Sequence, residues 1–413
     1  MMRNTSTKPV LRFPEFKEDW KPLQLKEILK EHKSRNTKNQ VDEVFSVAKE
    51  KGVINQIEHL GRSYASDDIS NYKVVYPNDV VYTKSPTAGF PFGIIKQNKL
   101  DRTGVVSVLY AVFKPKNIEM GLLLDFYFSS WVNTYNYLVP LVHKGAKNTM
   151  NIGNEDFLNG AKIYLPTQKE EQKKIADFLI QIDKRIAQLK EKKENLELYK
   201  KGITQKIFSQ KLRFKDENGK DFPEWELKKF ENIFKRVTTK NAENNDNVLT
   251  ISAQYGLINQ QDFFNKSVSA NDVTGYYLIK KGDFAYNKSY SKGYPMGAIK
   301  PLKKYEKGVV STLYICFNIK DNSNADFYEH YFESGKINKQ IHKIAQEGAR
   351  NHGLLNLSVV EFFKDIDILK PHIKEQEKIA SFLNEISKQI ALVNEQLEET
   401  RTFKKALLSK LFC

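Results

Sequence analysis

Cysteine occurs twice in 413 residues, at Cys316 and Cys413, which excludes a disulfide framework and a thiolate zinc site. Cys316 lies in the apolar run Ser311-Thr312-Leu313-Tyr314-Ile315-Cys316-Phe317 and reads as a buried thiol. Long apolar stretches are missing: Val105–Phe113 falls far short of a bilayer span. The opening Met1-Met2-Arg3-Asn4-Thr5-Ser6 has no apolar segment of the secretory kind. The expectation is a cytoplasmic protein with no membrane partner. No Gly-x-Gly occurs, which removes the dinucleotide fingerprint and the glycine-rich cofactor loop. Gly219-Lys220 and Gly335-Lys336 have Phe214 and His330 five places before the glycine, so neither is a P-loop. No two prolines adjoin, so the Asp/Asn-Pro-Pro-aromatic motif with which amino-methyltransferases hold a flipped base is absent. His32, His59, His143, His330, His342, His352 and His372 are scattered without metal-ligand spacing. Acidic-x-Lys triplets, as nucleases use, occur at Glu31-His32-Lys33 and Glu191-Lys192-Lys193. A chain this rich in Lys and Glu produces them by accident. The sequence offers no active site.

What the chain does have is positive charge. Lys and Arg number 66 against 50 Asp and Glu, a net +16. Residues 1–209 hold 34 basic and 24 acidic side chains, and residues 210–413 hold 32 and 26. Both halves are therefore basic, which points to polyanions, nucleic acid before membrane surface. With 40% apolar and 12% aromatic residues the chain is a folded protein.

The chain is also one unit written twice. Gly52-Val53-Ile54-Asn55-Gln56 returns 204 positions later as Gly256-Leu257-Ile258-Asn259-Gln260, and Tyr82-Thr83-Lys84-Ser85 returns as Tyr286-Asn287-Lys288-Ser289. Gly104–Phe113 and Gly308–Phe317 share seven of ten residues, as do Glu170–Leu179 and Lys374–Leu383. Each half opens alike, with Leu11-Arg12-Phe13 and Trp20 against Leu212-Arg213-Phe214 and Trp225.

The first two-thirds of each unit reads as mixed α+β. Asn78-Asp79 and Gly282-Asp283 are turn signals before the strand-like Val80–Thr83 and Phe284–Asn287. Val105–Phe113 and Val309–Phe317 read as buried strands, and Leu23–Lys30 and Leu122–Asn133 as helical patches. The last third is a long helix. Ile175, Leu179, Ile182, Ile186, Leu189, Leu196, Ile203 and Ile207 follow 4-3 spacing, interrupted by Lys193 and Lys200. Ile379, Leu383, Ile386, Ile390, Val393, Leu397, Leu407 and Leu411 repeat the register. Such stripes need a partner, and the simplest is the other helix. The fold expected is α+β: two homologous mixed α/β domains, joined and separated by two long helices that form an antiparallel coiled coil with pseudo-two-fold symmetry. The boundaries are 1–169 for the first domain, 170–211 for the first helix, 212–373 for the second domain and 374–413 for the second helix.

Two constellations suit nucleic acid. In one, a strand end runs into a Gly/Pro loop with Lys84 and Ser85, and with Lys288, Ser289, Tyr290, Lys292 and Tyr294 in the second copy. In the other, a glycine precedes a cation and an amide: Lys147 and Asn148, then Arg350, Asn351 and His352. Such side chains clamp phosphates and pair with guanine and adenine edges. An ordinary surface loop or structural turn would account for either set equally.

The order Leu-Arg-Phe…Trp, Gly-Val-Val-Ser, Gly-Ala-Lys-Asn, then Pro166…Glu171-Gln172…Ile175-Ala176-x-Phe-Leu resembles a target-recognition unit of Type I restriction-modification specificity subunits. The second copy has Gly-Ala-Arg-Asn, then Pro371…Glu375-Gln376…Ile379-Ala380-x-Phe-Leu, so the resemblance covers essentially the whole chain. It implies a subunit without catalysis that reads a bipartite double-stranded DNA target with an unread gap. It further implies two methyltransferase subunits as partners and, through them, restriction/translocase subunits. The reaction would be adenine-N6 methylation or distant cleavage, with S-adenosylmethionine, ATP and Mg²⁺ bound by those partners. Differing loops, Pro86-Thr87-Ala88 against Tyr290-Ser291-Lys292, make the half-sites unlike. The alternatives are the reader of a related multi-subunit Type II system, a single-chain nuclease or methyltransferase, for which motifs are lacking, and a coiled-coil scaffold with no DNA role.

Overall fold

A computed structural model describes residues 9–87, 89–144, 150–252, 256–264, 272–291, 293–345 and 355–412. The chain forms two compact units: Met1–Lys190 with Glu395–Cys413, and Glu191–Asn394.

The first unit is built on a four-stranded antiparallel sheet in the order Leu29–Glu31, Ala111–Pro115, Val80–Tyr82, Ile95–Gln97. Val80 pairs with Phe113 and with Gln97. The second unit repeats the sheet with Phe234–Val237, Ile315–Ile319, Phe284–Asn287 and Ala298–Pro301. There Phe284 pairs with Phe317 and with Pro301, the same register 204 residues on. The turn that launches the third strand needs a left-handed residue, and Asn78 (φ 70°) and Gly282 (φ 91°) supply it. Asp79 and Asp283 close that turn by accepting the amides of Tyr76 and Lys280, each at 2.8 Å.

Three local readings are corrected. Leu23–Lys30 is not a helix: the strand Lys21–Leu23 and a single 3₁₀ turn, Leu25–Glu27, lead into the sheet strand. Trp20, Leu25, Ile28 and Leu29 are all core residues, so tertiary burial and not helical periodicity sets that pattern. Leu122–Asn133 divides into Ile118–Tyr127 and Trp131–Leu138, because Ser130 is extended and caps the second helix through its hydroxyl. Val105–Phe113 and its copy are each two strands. Ser107 and Ser311 accept backbone amides in the turn between them.

The long helices are Lys169–Phe208 and Ile373–Leu411. In the first unit, Ile175, Leu179 and Ile182 from the start of one helix share a core with Leu407, Leu408 and Leu411 from the end of the other. In the second unit, Ile207 and Phe208 join Ile379, Leu383 and Ile386. Each unit thus pairs the beginning of one long helix with the end of the other, the antiparallel sense. The apolar stripes also sink into the globular part of their units. The two lysines that interrupt the first stripe have polar surroundings: Lys193 donates to Asn394 at 2.6 Å, and Lys200 lies in the field of Glu333 and Glu329. Among the described residues no helix is long and apolar enough to cross a membrane. Cys316 is buried, and burial pushes its thiol up to about 12.

Candidate nucleic-acid interface

The Pro…Glu-Gln segment and the Arg…Trp opening of each unit are two halves of one latch. Glu171, fully buried, takes a bidentate pair of hydrogen bonds from Arg12, Nε to Oε1 at 2.6 Å and Nη2 to Oε2 at 2.8 Å. Trp20 Nε1 donates to the same carboxylate at 3.1 Å. Gln172 turns the other way and donates to the Pro166 carbonyl at 2.8 Å. In the second unit Arg213 reaches Glu375 at 3.2 and 3.0 Å, Trp225 at 3.0 Å, and Gln376 donates to Pro371 at 2.8 Å. The hydrogen bond to Glu171 is the largest influence on the Arg12 guanidinium and raises its pKa. The same tryptophans receive the far ends of the helices: Phe412 packs on Trp20, and Phe208 on Trp225.

On this base the candidate loops are closed hairpins at one end of each sheet. Tyr82 is wholly buried and its hydroxyl donates to the Phe92 carbonyl at 2.7 Å; Tyr286 does the same to Met296 at 2.8 Å. Gly93 has φ +95°, and a Cβ there would lie 2.7 Å from the Lys84 amide nitrogen. These tyrosines and glycines are scaffold. Ser85 and Tyr290 are exposed, and Lys84, Lys288, Ser289 and Tyr294 are half-buried.

Both constellations meet at their flanks. Lys84 Nζ donates at 2.9 Å to the carbonyl of Ile152, just beyond the Gly-Ala-Lys-Asn segment. In the second unit the amide of Leu355, just beyond Gly-Ala-Arg-Asn, donates to the carbonyl of Lys288 at 3.0 Å. Lys147, Asn148, Lys292, Arg350, Asn351 and His352 lie outside the described residues. Burial lowers the pKa of Lys84, with Lys73 adding to it, and burial alone lowers that of Lys288. Tyr294 donates to Glu333 at 2.7 Å, and Glu333 also pairs with Lys300 at 2.6 Å. Burial first and the Glu333 charge second push the Tyr294 hydroxyl up, so it stays a donor.

Sequence reasoning missed two features. The latch was in view as separate marks, and the signal that joins them was their common recurrence. The other is an aromatic pair, Trp131 and Tyr135, on the first unit's short helix; it has no counterpart in the repeat and so gave no signal.

Residues 17–198 match the family model described as Type I restriction modification DNA specificity domain. Among solved structures, the Type-I restriction-modification system S subunit from M. genitalium has a similar fold, with a TM-score of 0.56 and 14% identity, over 98% of this chain and 99% of that one. The HsdS subunit from Thermoanaerobacter tengcongensis aligns over 100% of this chain and 99% of its own at 16% identity and a TM-score of 0.45. The matched segment covers the sheet and short helices of the first unit and most of the helix Lys169–Phe208, and the second half repeats it in sequence and in sheet register. The architecture is a duplicated α+β unit, each copy latched to a long helix. Residues 17–198 carry the Type I restriction modification DNA specificity domain.

Proposed function

We propose that this specificity protein reads a bipartite, asymmetric double-stranded DNA target through one loop cluster per unit, leaving an unread gap between half-sites. The observation that carries the reading is duplication with divergence. The same hairpin scaffold, closed by Tyr82 and Gly93 or by Tyr286 and Gly297, presents Ser85-Pro86-Thr87 in one unit and Ser289-Tyr290-Ser291 in the other. One scaffold with two sets of presented groups reads two different half-sites. Lys84, Ser85, Lys147 and Asn148 serve the first half-site. Lys288, Ser289, Tyr290, Lys292, Tyr294, Arg350, Asn351 and His352 serve the second. The partners are two methyltransferase subunits and, through them, restriction/translocase subunits. These bind S-adenosylmethionine, ATP and Mg²⁺, while this chain binds none, and the complex works in the cytoplasm.

The test is to express the chain with an adenine methyltransferase partner and map methyladenine across the host DNA. The expected motif has two unlike half-sites flanking a fixed unread gap. A continuous palindrome, or methylation that persists without this chain, would overturn the proposal.

A further inference from the structure

Among the described residues, the first unit carries a stacked pair of exposed rings that the second unit does not repeat. Trp131 and Tyr135 sit one turn apart on the helix Trp131–Leu138, their rings stacked with centroids 4.8 Å apart and planes 21° from parallel. They are 49% and 37% exposed, so both rings of the stack reach solvent. Tyr135 extends the pair into a ladder by packing on Phe92, with centroids 5.7 Å apart and planes tilted by 46°. Phe92 is the residue whose carbonyl receives the Tyr82 hydroxyl and which precedes Gly93, the closing glycine of the candidate hairpin. The ladder is therefore continuous with the proposed reading loop and fixed to the sheet through it.

In the second unit this place is hollow. Met296 stands where Phe92 stands in the first, and with Gly293, Tyr294, Gly335 and Asn338 it lines a cavity of about 160 Å³. The nearby helix Asn338–Ile344 exposes Lys339 and Lys343. One unit thus presents an apolar ridge beside its loop, and the other a recess and cations.

We infer that Trp131 and Tyr135 are specificity-determining residues of the first unit, and that their exposed edges pack on thymine methyl groups in the major groove of its half-site. The inference rests on the DNA-reading function proposed above. An apolar ring edge discriminates bases through the thymine methyl, the one apolar group on a major-groove edge. A ridge beside a lysine-bearing loop fits this use: phosphate contacts hold the duplex while the ridge meets a base edge. Any half-site with a methylated adenine contains at least one thymine in its A·T pair.

The test uses the full chain assembled with its methyltransferase partner, on duplexes carrying the methylated motif. Replacing the thymines of the first half-site by deoxyuridine removes only methyl groups. The wild type should lose about fourfold in affinity per contacted methyl. Trp131→Ala should bind the thymine duplex more weakly, on the order of tenfold, and no longer distinguish thymine from deoxyuridine there. Deoxyuridine in the second half-site should affect both proteins equally, which shows that the variant is folded and that its second unit still reads. Indifference of the wild type to first-half-site deoxyuridine would overturn the inference while leaving the DNA-reading function standing. So would full discrimination by Trp131→Ala, or loss of the methyltransferase subunit from that variant, which would make the ridge a protein-docking face. Failure of the wild-type assembly to bind either half-site would overturn the proposed function itself, and this inference with it.

Discussion

Replacing Glu171 by alanine tests whether the latch holds the first long helix to its reading unit. The carboxylate accepts two hydrogen bonds from Arg12 and one from Trp20, with the Arg12 side chain 12% exposed and that of Glu171 1%. Removing one partner of a buried pair leaves the other charge uncompensated, which costs about 3–5 kcal/mol. For a unit of this size that lowers the melting temperature by on the order of 10 °C. Glu171→Gln keeps the shape and an acceptor but loses the charge, and should cost roughly 1.5–3 kcal/mol. Replacing Arg12 and Glu171 together by methionine removes both charges and should recover part of the loss; Trp20 Nε1 still lacks its acceptor, so recovery stays incomplete. Calorimetry of the full chain, with Glu375→Ala as the matching lesion in the second unit, reads these effects directly. A Glu171→Ala variant within about 0.5 kcal/mol of wild type would refute the reasoning, since no exposed ion pair is disturbed and only the buried one can account for the loss.

Asp125 is buried between Lys96 at 2.7 Å and Lys99 at 2.9 Å. Burial alone would raise its carboxyl, but the two ammonium groups prevail and hold it below its ordinary 3.8. A carboxylate depressed in the folded state stabilises fully above its unfolded pKa, and that stability is lost as pH falls below it. Urea unfolding between neutrality and about pH 3 should therefore show a steeper acid loss in wild type than in Asp125→Asn, and equal slopes would count against it. In DNA binding, Lys84→Met and Lys147→Met should affect the first half-site only, and Lys288→Met and Arg350→Met the second. Removing a cation that holds a phosphate lowers affinity for every sequence and reduces the salt slope by about one, whereas removing one that pairs with a base edge costs ~1–3 kcal/mol at one position. Titrations across salt on half-site duplexes separate these outcomes, and four silent substitutions would mean that other loops do the reading. A flat salt response of the wild type would contradict DNA as the ligand of a chain with net charge +16.

The architecture was legible because it is written twice and because its periodicities are long. Long stripes such as Ile175 to Ile207 outlast local noise, and Lys169–Phe208 is the helix they describe. The 204-residue offset carries directly into sheet register, Val80 on Phe113 and Phe284 on Phe317. Short elements were less legible. Leu23–Lys30 has helix-compatible spacing, yet burial of Trp20 and Leu29 on either side of a 3₁₀ turn decides its form. The latch was half legible. Arg12 and Glu171 are 159 residues apart, and only folding brings them to 2.6 Å. The candidate site divides in the same way. Repetition singled out the hairpin, but repetition marks scaffold as readily as function, and Tyr82 and Gly93 proved to be scaffold. A residue that distinguishes one half-site is by nature unrepeated, which is why Trp131 and Tyr135 carried no sequence signal.

We propose that the length of the two long helices sets the unread gap between the half-sites. Removing one heptad from each long helix, residues 183–189 and 387–393, keeps both apolar stripes in phase and shortens the helices by roughly 10 Å at ~1.5 Å per residue. At ~3.4 Å per base pair that equals about three base pairs. The measurement is the methyladenine motif written by this variant with its methyltransferase partner. The account predicts the same two half-sites with a gap shorter by about three pairs; the original gap, written by a properly assembled complex, would contradict it.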